Sequence, residues 1–230
     1  MNFILKKISN KRWLFCCLLF FVIACHSNNH YNNFTFSKID SIAEEQNVSA
    51  ALDSIYQYKK LVKQGDLVVR TGKDFTSETM RLLSTKDKTY SHCGIASIEH
   101  DSLFVYHSIG GEWNPDQKLR RDPFEIFCNP YENRGFGIFR YKITPEENVN
   151  LINVVHKLYD KKIMFDMQFN LASDDRMYCS EFIYKAIEQA TNNKTVLPTT
   201  IINNIKFIAL DNLFINPFCT EIKRVTYDKQ

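Results

Sequence analysis

The sequence predicts an α+β domain in which helices pack on an antiparallel sheet. Three observations carry this. Short strand-like runs rich in β-branched and aromatic residues cluster between residues 66 and 143. Runs with helical spacing flank them on both sides. Two of the strand-like runs, residues 90–99 and 102–110, meet at the polar joint His100-Asp101-Ser102, as in a hairpin.

The elements follow in order. Residues 38–64 read as a helix, because Val48, Leu52, Ile55 and Leu61 fall near helical spacing and Gly65 stops it. "DLVVR", residues 66–70, is a short strand. "DFTSETMRLLS" has Asp74 as N-cap of a short helix. "DPFEIFCN" carries Pro123 after Asp122, a helix-start signal. "FGIFRYKI", residues 136–143, alternates as a strand. "TPEENVNLINVVHKLYDKK" places Thr144 as N-cap, Pro145 in the first turn and two glutamates at the positive helix end. "FDMQFNLASDDRMY" is a loop, and a helix runs from Ser180 to about Gln189. "PTTIINNIKFIAL" reads as a short helix and the last ten residues as a strand. Repeats and internal linkers are absent, so residues 38–230 are expected to form one domain.

The N-terminus reads as a targeting segment. Lys6, Lys7, Lys11 and Arg12 precede the apolar run "WLFCCLLFFVIA" from Trp13 to Ala24. Its length suits a signal-peptide core better than a membrane span. The run ends in "VIAC", which resembles the lipobox of bacterial lipoproteins. That resemblance implies a signal peptide over 1–24, lipidation of Cys25 and a mature chain beginning there. The polar, Asn-rich residues 25–37 would then be a flexible tether. The expected location is the cell envelope, lipid-anchored at the outer membrane. The net charge of +3, without an internal basic stripe, excludes nucleic acid as a first-choice partner.

Seven cysteines occur: Cys16, Cys17, Cys25, Cys93, Cys128, Cys179 and Cys219. Four remain after processing at Cys25. Two disulfides are possible on count alone, but no regular spacing supports a framework. Cys128 and Cys219 read as inert or bonded to each other. There is no CxxC and no cluster of Cys/His pairs, so neither a zinc site nor any other cofactor is expected.

Cys179 stands apart. It precedes a run in which Phe182, Ile183, Ala186, Ile187 and Ala190 mark one buried helical face. A helix N-terminus offers unpaired N–H groups and about half a positive charge, which favours a thiolate. A cysteine nucleophile also needs a base and a group that orients it. Of the six histidines, His26 and His30 fall in the tether, His100 in the turn and His156 within a helix. His92 and His107 lie on adjacent strands. With the hairpin centred on residues 100 and 101, residue 92 sits opposite residue 109, and His107 is diagonal to His92 on the same face. Cys93 alternates with His92, which would point its thiol away from the site.

"GDLVVR", "YSHCGI", "FVYHSIGG" and "FDMQFNLASDDRMYCSEFIYKA" resemble, in that order, the YiiX/YebB-like cysteine hydrolases of the NlpC-type superfamily. The resemblance spans roughly residues 60–190. It implies a circularly permuted papain-like fold, with Cys179 as nucleophile, His92 as base and His107 at the third polar position, where many relatives carry Glu. It further suggests oxyanion or substrate-binding roles for Tyr178, Asp166 and Glu181, with the Cys179 N–H as the favoured oxyanion donor. The implied activity is hydrolysis of an amide in a cell-wall peptide, another peptide or an amide-linked lipid. Two alternatives stay open: acyl transfer on lipid, as in the lecithin–retinol acyltransferase type, and a non-catalytic binding lipoprotein.

Overall fold

A six-stranded antiparallel sheet organises the chain. The structure is a computed structural model that describes residues 38–111 and 113–227, with side chains from residue 43. The expected signal peptide, the tether and Cys25 lie outside the described residues. Contacts divide the chain into Met1–Asp40 and Ser41–Gln230, and the whole sheet lies in the second unit.

The elements are α1 (Lys38–Lys59), β1 (Leu67–Gly72), α2 (Phe75–Leu82), β2 (His92–Glu99), β3 (Ser102–His107), β4 (Arg120–Pro123), α3 (Phe124–Phe127), β5 (Asn133–Tyr141), α4 (Pro145–Asp160), α5 (Cys179–Ala190), β6 (Thr200–Ile202), β7 (Ile205–Phe207), a 3-10 turn (Leu210–Leu213) and β8 (Cys219–Thr226). The strands of the main sheet run in the order β4-β3-β2-β1-β5-β8. Local chemistry explains most of the boundaries. Asp74 caps α2 by accepting the Ser77 N–H at 2.9 Å. At α4, Thr144 Oγ1 accepts the Glu147 N–H at 3.1 Å, and Glu147 accepts the Thr144 N–H at 2.9 Å. The β2–β3 hairpin turns at His100 and Asp101, both with positive φ, as a two-residue turn that matches strand twist requires. Its register pairs Glu99 with Ser102 and Ile95 with Tyr106.

The sheet separates two cores. On one face Leu67, Val69, Cys93 and Ile95 pack with Leu151 and Val155 of α4 and Phe182, Ile183 and Ile187 of α5. On the other face Val68, Ala96, Val105, Phe136 and Ile138 pack with Ala51 and Ile55 of α1 and Phe124 and Phe127 of α3. These are the alternating positions of each strand.

Three expectations are corrected. α1 ends at Lys59, short of Gly65. β4 was not foreseen, because "RRDP" is a short edge strand with no hydrophobic alternation. The "PTTIINNIKFIAL" segment is not a helix: β6 and β7 form a hairpin whose turn residues, Asn203 and Asn204, both have positive φ. Asn tolerates that conformation, and β-branched Ile on either side favours strand. Among the described residues no helix is long and apolar enough to cross a membrane.

Candidate active site

Cys179 is the first residue of α5. The helix starts there because Glu181 Oε2 reaches back to the Tyr178 N–H at 3.2 Å, while Phe182, Ile183, Ala186, Ile187 and Ala190 bury one face. The half-buried thiol rests against the start of β2. Its pKa is lowered by Cys93 and by the backbone at Ser180, against the opposing push of burial. The Cys93 contact is the largest influence lowering the Cys179 pKa, and it outweighs the upward push of burial. Cys93, fully buried, is driven well above the usual thiol range. It therefore stays protonated. As strand alternation predicts, Cys93 lies on the opposite face of the sheet from His92, buried in the core that packs α4 and α5.

The neighbouring residue begins a second chain of groups. His92 Nε2 lies 2.8 Å from His107 Nδ1, and His107 Nε2 lies 3.0 Å from Asp122 Oδ2. Arg120 completes the line, 2.7 Å from the same carboxylate oxygen. Register explains the assembly. His107 pairs with Arg120 and Val105 with Asp122 across β3–β4, so His107 and Asp122 are diagonal neighbours. Phe127 packs against both rings, with centroids 5.6 Å from His92 and 5.1 Å from His107. Gly94 leaves the room: a Cβ there would come within 3.1 Å of His107 Cβ and 2.7 Å of the Tyr106 carbonyl oxygen.

Charge states follow from burial. His92 is held well below its ordinary pKa by burial first, then by the Arg70, His107 and Arg120 charges. Burial also lowers His107, against the opposing pull of Asp122. Burial alone would raise Asp122, but the hydrogen bond from His107 and the pairing with Arg120 keep it below the usual carboxylate range. Asp122 is therefore an acceptor only, which assigns a proton to His107 Nε2. Neutral His107 then has a bare Nδ1, which must accept from His92 Nε2–H. Neutral His92 keeps its lone pair on Nδ1. Among the described residues His92 has no hydrogen bond to Cys179: its ring packs on Phe127 on one face of the sheet, whereas Cys179 packs against the core of the other.

The other expected residues are tied into the frame. Tyr178 is buried and its hydroxyl accepts the Ile208 N–H at 2.7 Å. Asp166 is buried and accepts the N–H groups of Gln168 at 2.8 Å and Asn170 at 2.6 Å, which shapes the loop before α5. Glu181 is fully buried, caps the helix and pairs with Lys185 at 3.0 Å; burial pushes its carboxyl up to about 7. All three hold the Cys179 corner in place. Cys128 and Cys219 are unbonded and buried on opposite faces of the sheet, so they do not pair. His156 bonds Ser97 at 3.3 Å and takes no part in the site. Sequence reasoning missed Asp122, which read only as a helix-start signal. The one hint was its place two residues after Arg120, on a segment polar enough to be a sheet edge.

No family model matches the chain. In sequence it is 23% identical over 128 residues to the uncharacterized protein YiiX of Escherichia coli K12, a match that covers 55% of this chain and 57% of YiiX. In fold it matches the crystal structure of the metalloprotein YiiX of Escherichia coli O157:H7 with a TM-score of 0.58 at 18% identity. That alignment takes in 71% of this chain and 98% of the solved one. The chain is YiiX-like. The sequence match spans little more than half of YiiX itself.

Proposed function

We propose that the chain is a cysteine hydrolase with a permuted papain-like fold, acting on an amide at the cell envelope, where lipidated Cys25 would hold it to the outer membrane. One observation carries the reading: a pKa-lowered thiol stands at the N-terminus of a helix packed on β2, the strand that begins with a histidine whose free Nδ1 is fixed by a His107–Asp122 relay. Cys179 Sγ attacks the carbonyl carbon, and His92 Nδ1 takes the thiol proton. His92 then gives that proton to the leaving nitrogen as the C–N bond breaks. Water, activated in the same way, cleaves the resulting thioester. The Cys179 N–H has no intrahelical acceptor at the first position of α5 and suits the developing oxyanion. The proton transfer requires His92 and Cys179, which share no hydrogen bond among the described residues, to come together when substrate binds.

The solved YiiX is described as a metalloprotein. Among the described residues here, no three His, Cys, Asp or Glu side chains are arranged to hold a metal ion. Both nitrogens of His107 and one of His92 are already engaged. The described residues do not fit a resident metal.

A second reading is acyl transfer on lipid, and one observation favours it. The β6–β7 hairpin exposes Ile201 (67%) and Ile205 (61%). Its C-terminal end is tied to both neighbours of Cys179, through Ile208 N–H to Tyr178 and Ser180 Oγ to the Ile208 carbonyl, each at 2.7 Å.

The test is incubation of the full-length protein, in detergent, with peptide amides, cell-wall stem peptides and amide- or ester-linked lipids. Product release and the intact mass of the protein are followed. Turnover with acylation at Cys179, lost in Cys179→Ala and in His92→Ala, is expected. Preference for lipid esters would select the second reading. No adduct and no release with any class would leave a binding lipoprotein.

A further inference from the structure

Helix α2 carries apolar side chains that the fold does not use. None of its residues is buried. Phe75 and Leu82 lie seven positions apart, so they share one side of the helix, and they are 86% and 67% exposed. At the start of the helix the Lys73 N–H donates to the Glu132 carbonyl at 2.9 Å, and Lys73 Nζ donates to the Pro130 carbonyl at 2.8 Å. These bonds hold the 129–132 turn against that end of α2, and its Tyr131 is 70% exposed. Three large apolar side chains therefore stand in solvent at one corner of the fold, where a surface normally scatters them singly.

The charges at this corner are sorted. Residues 73–88 contain three acids, and each is engaged. Asp74 accepts the Ser77 N–H at 2.9 Å and its hydroxyl at 2.6 Å. Glu78 pairs with Arg81 at 2.9 Å and with Arg134. Asp87 turns inward to Arg224 at 2.7 Å. The lysines on either side of it, Lys86 and Lys88, are exposed, and their ammonium groups have no partner among the described residues. Their backbone is nevertheless fixed. Asp211 Oδ2 accepts the Lys86 N–H at 2.7 Å, and the Lys88 carbonyl accepts from Arg81 Nε at 2.6 Å, which sets Lys88 against the last turn of α2. Glu132 is the one carboxylate of the corner without a partner among the described residues, against the cations of Lys73, Lys86 and Lys88.

We infer that this corner docks the domain onto an anionic lipid bilayer, with Phe75, Leu82 and Tyr131 entering the interface and Lys86 and Lys88 meeting the lipid phosphates. Charge complementarity selects the occupant. Exposed apolar and aromatic side chains flanked by free lysines are the composition of an interfacial helix, and a negative surface attracts each lysine. A protein groove that takes a helix reads apolar anchors at i, i+3 or i+4, and i+7. Counted from Phe75, the middle anchors are Glu78 and Thr79, so α2 lacks that stripe. The loop that carries Lys86 and Lys88 continues into β2, which begins at His92, so docking holds that end of the sheet at the lipid. The inference rests neither on the hydrolase reading nor on lipidation of Cys25.

The experiment places the full-length protein on vesicles of phosphatidylglycerol with phosphatidylethanolamine, or of phosphatidylcholine alone, each doped with a photoreactive phospholipid. Cross-linked peptides are mapped by mass spectrometry. On the anionic vesicles, cross-links within residues 74–88 and at Tyr131 are expected, with Lys86 and Lys88 shielded from an amine-reactive label. Lys86→Gln with Lys88→Gln should lower the α2 cross-link yield roughly tenfold, as should replacement of the anionic lipid by phosphatidylcholine. Phe75→Ser with Leu82→Ser should abolish it while cross-links to the N-terminal 37 residues persist. All four side chains are exposed, so urea unfolding midpoints should match the wild type, which separates loss of docking from loss of fold. Cross-links confined to the N-terminal residues would overturn the inference. So would equal α2 yields on the two vesicle types, or Lys86 and Lys88 labelling equally fast with and without a bilayer, the result a protein partner for α2 would give.

Discussion

His92 Nε2 and His107 Nδ1 lie 2.8 Å apart, both rings buried on the face of the sheet that carries α3. Two neutral imidazoles at this distance must divide the roles of donor and acceptor, and nothing within the pair decides which ring donates. The decision comes from outside it, at Asp122. Because that carboxylate accepts from His107 Nε2, the proton order is set along the whole line, and His92 is left with its lone pair on Nδ1.

Replacing Asp122 therefore acts at a distance of two rings. In Asp122→Asn an amide NH2 can donate to His107 Nε2, which reverses the order and places a proton on His92 Nδ1. The expected result is a change of tautomer at both histidines, read by 15N chemical shifts, with loss of any His92-dependent turnover. Removing a partly buried charge-assisted bond should also cost about 1.5–3 kcal/mol of stability, measured by urea unfolding. Unchanged 15N shifts would show that Asp122 does not set the tautomers.

Cys93 controls Cys179 more directly. Its thiol is the largest influence lowering the Cys179 pKa, so Cys93→Ala should move the alkylation midpoint of Cys179 upward, towards the ordinary ~8.5. At neutral pH the labelling rate should fall. The small cavity should lower stability by roughly 1 kcal/mol, far less than a large core truncation. A midpoint that stays put would mean that the α5 N-terminus alone depresses the thiol.

How much of this was legible beforehand varies from residue to residue. The hairpin register was readable because a polar joint at residues 100 and 101 fixes every pairing beyond it, and Glu99↔Ser102 follows. The α4 start was readable because its capping box is local in sequence. Cys93 was legible because strand alternation puts it opposite His92, in the core that packs α4 and α5. Asp122 was not legible because its role depends on pairing between β3 and an edge strand that carries no apolar pattern. The Ile-rich hairpin looked helical because Asn-Asn is a weaker turn signal than Asn-Gly, and only the positive φ at both positions reveals it.

Acid should destabilise the fold through the histidine pair. His92 and His107 both have native pKa values below their unfolded ones, so below about 6.5 the unfolded chain binds more protons than the folded one, and stability falls as pH drops. Glu181 acts in the opposite sense. Its carboxyl is raised to about 7, so its contribution is present at low pH and is lost as pH rises from about 4.5 through 7. Glu181→Gln cannot ionise and keeps an acceptor for the Tyr178 N–H. Relative to the wild type, it should gain stability as pH rises from about 5 to about 8, measured by urea unfolding at fixed ionic strength. A constant difference across that range would contradict the raised carboxyl.

The β6–β7 hairpin offers the sharpest division between substrate classes. Ile201 and Ile205 are mostly exposed, so removing them takes little from the core, and Ile201→Ser with Ile205→Ser should change stability by no more than about 0.5 kcal/mol. The hairpin is nevertheless joined through Ile208 to both residues that flank Cys179. If the substrate is a lipid, those exposed side chains offer it an apolar surface. The double variant should then lose turnover on lipid substrates and binding to phosphatidylethanolamine vesicles, while the alkylation rate of Cys179 is unchanged. If the substrate is a soluble peptide, kcat/KM should be indifferent to the change. The comparison is made on one protein with two substrates, so a folding defect, which would lower both activities together, is distinguished from a loss of lipid recognition, which lowers one.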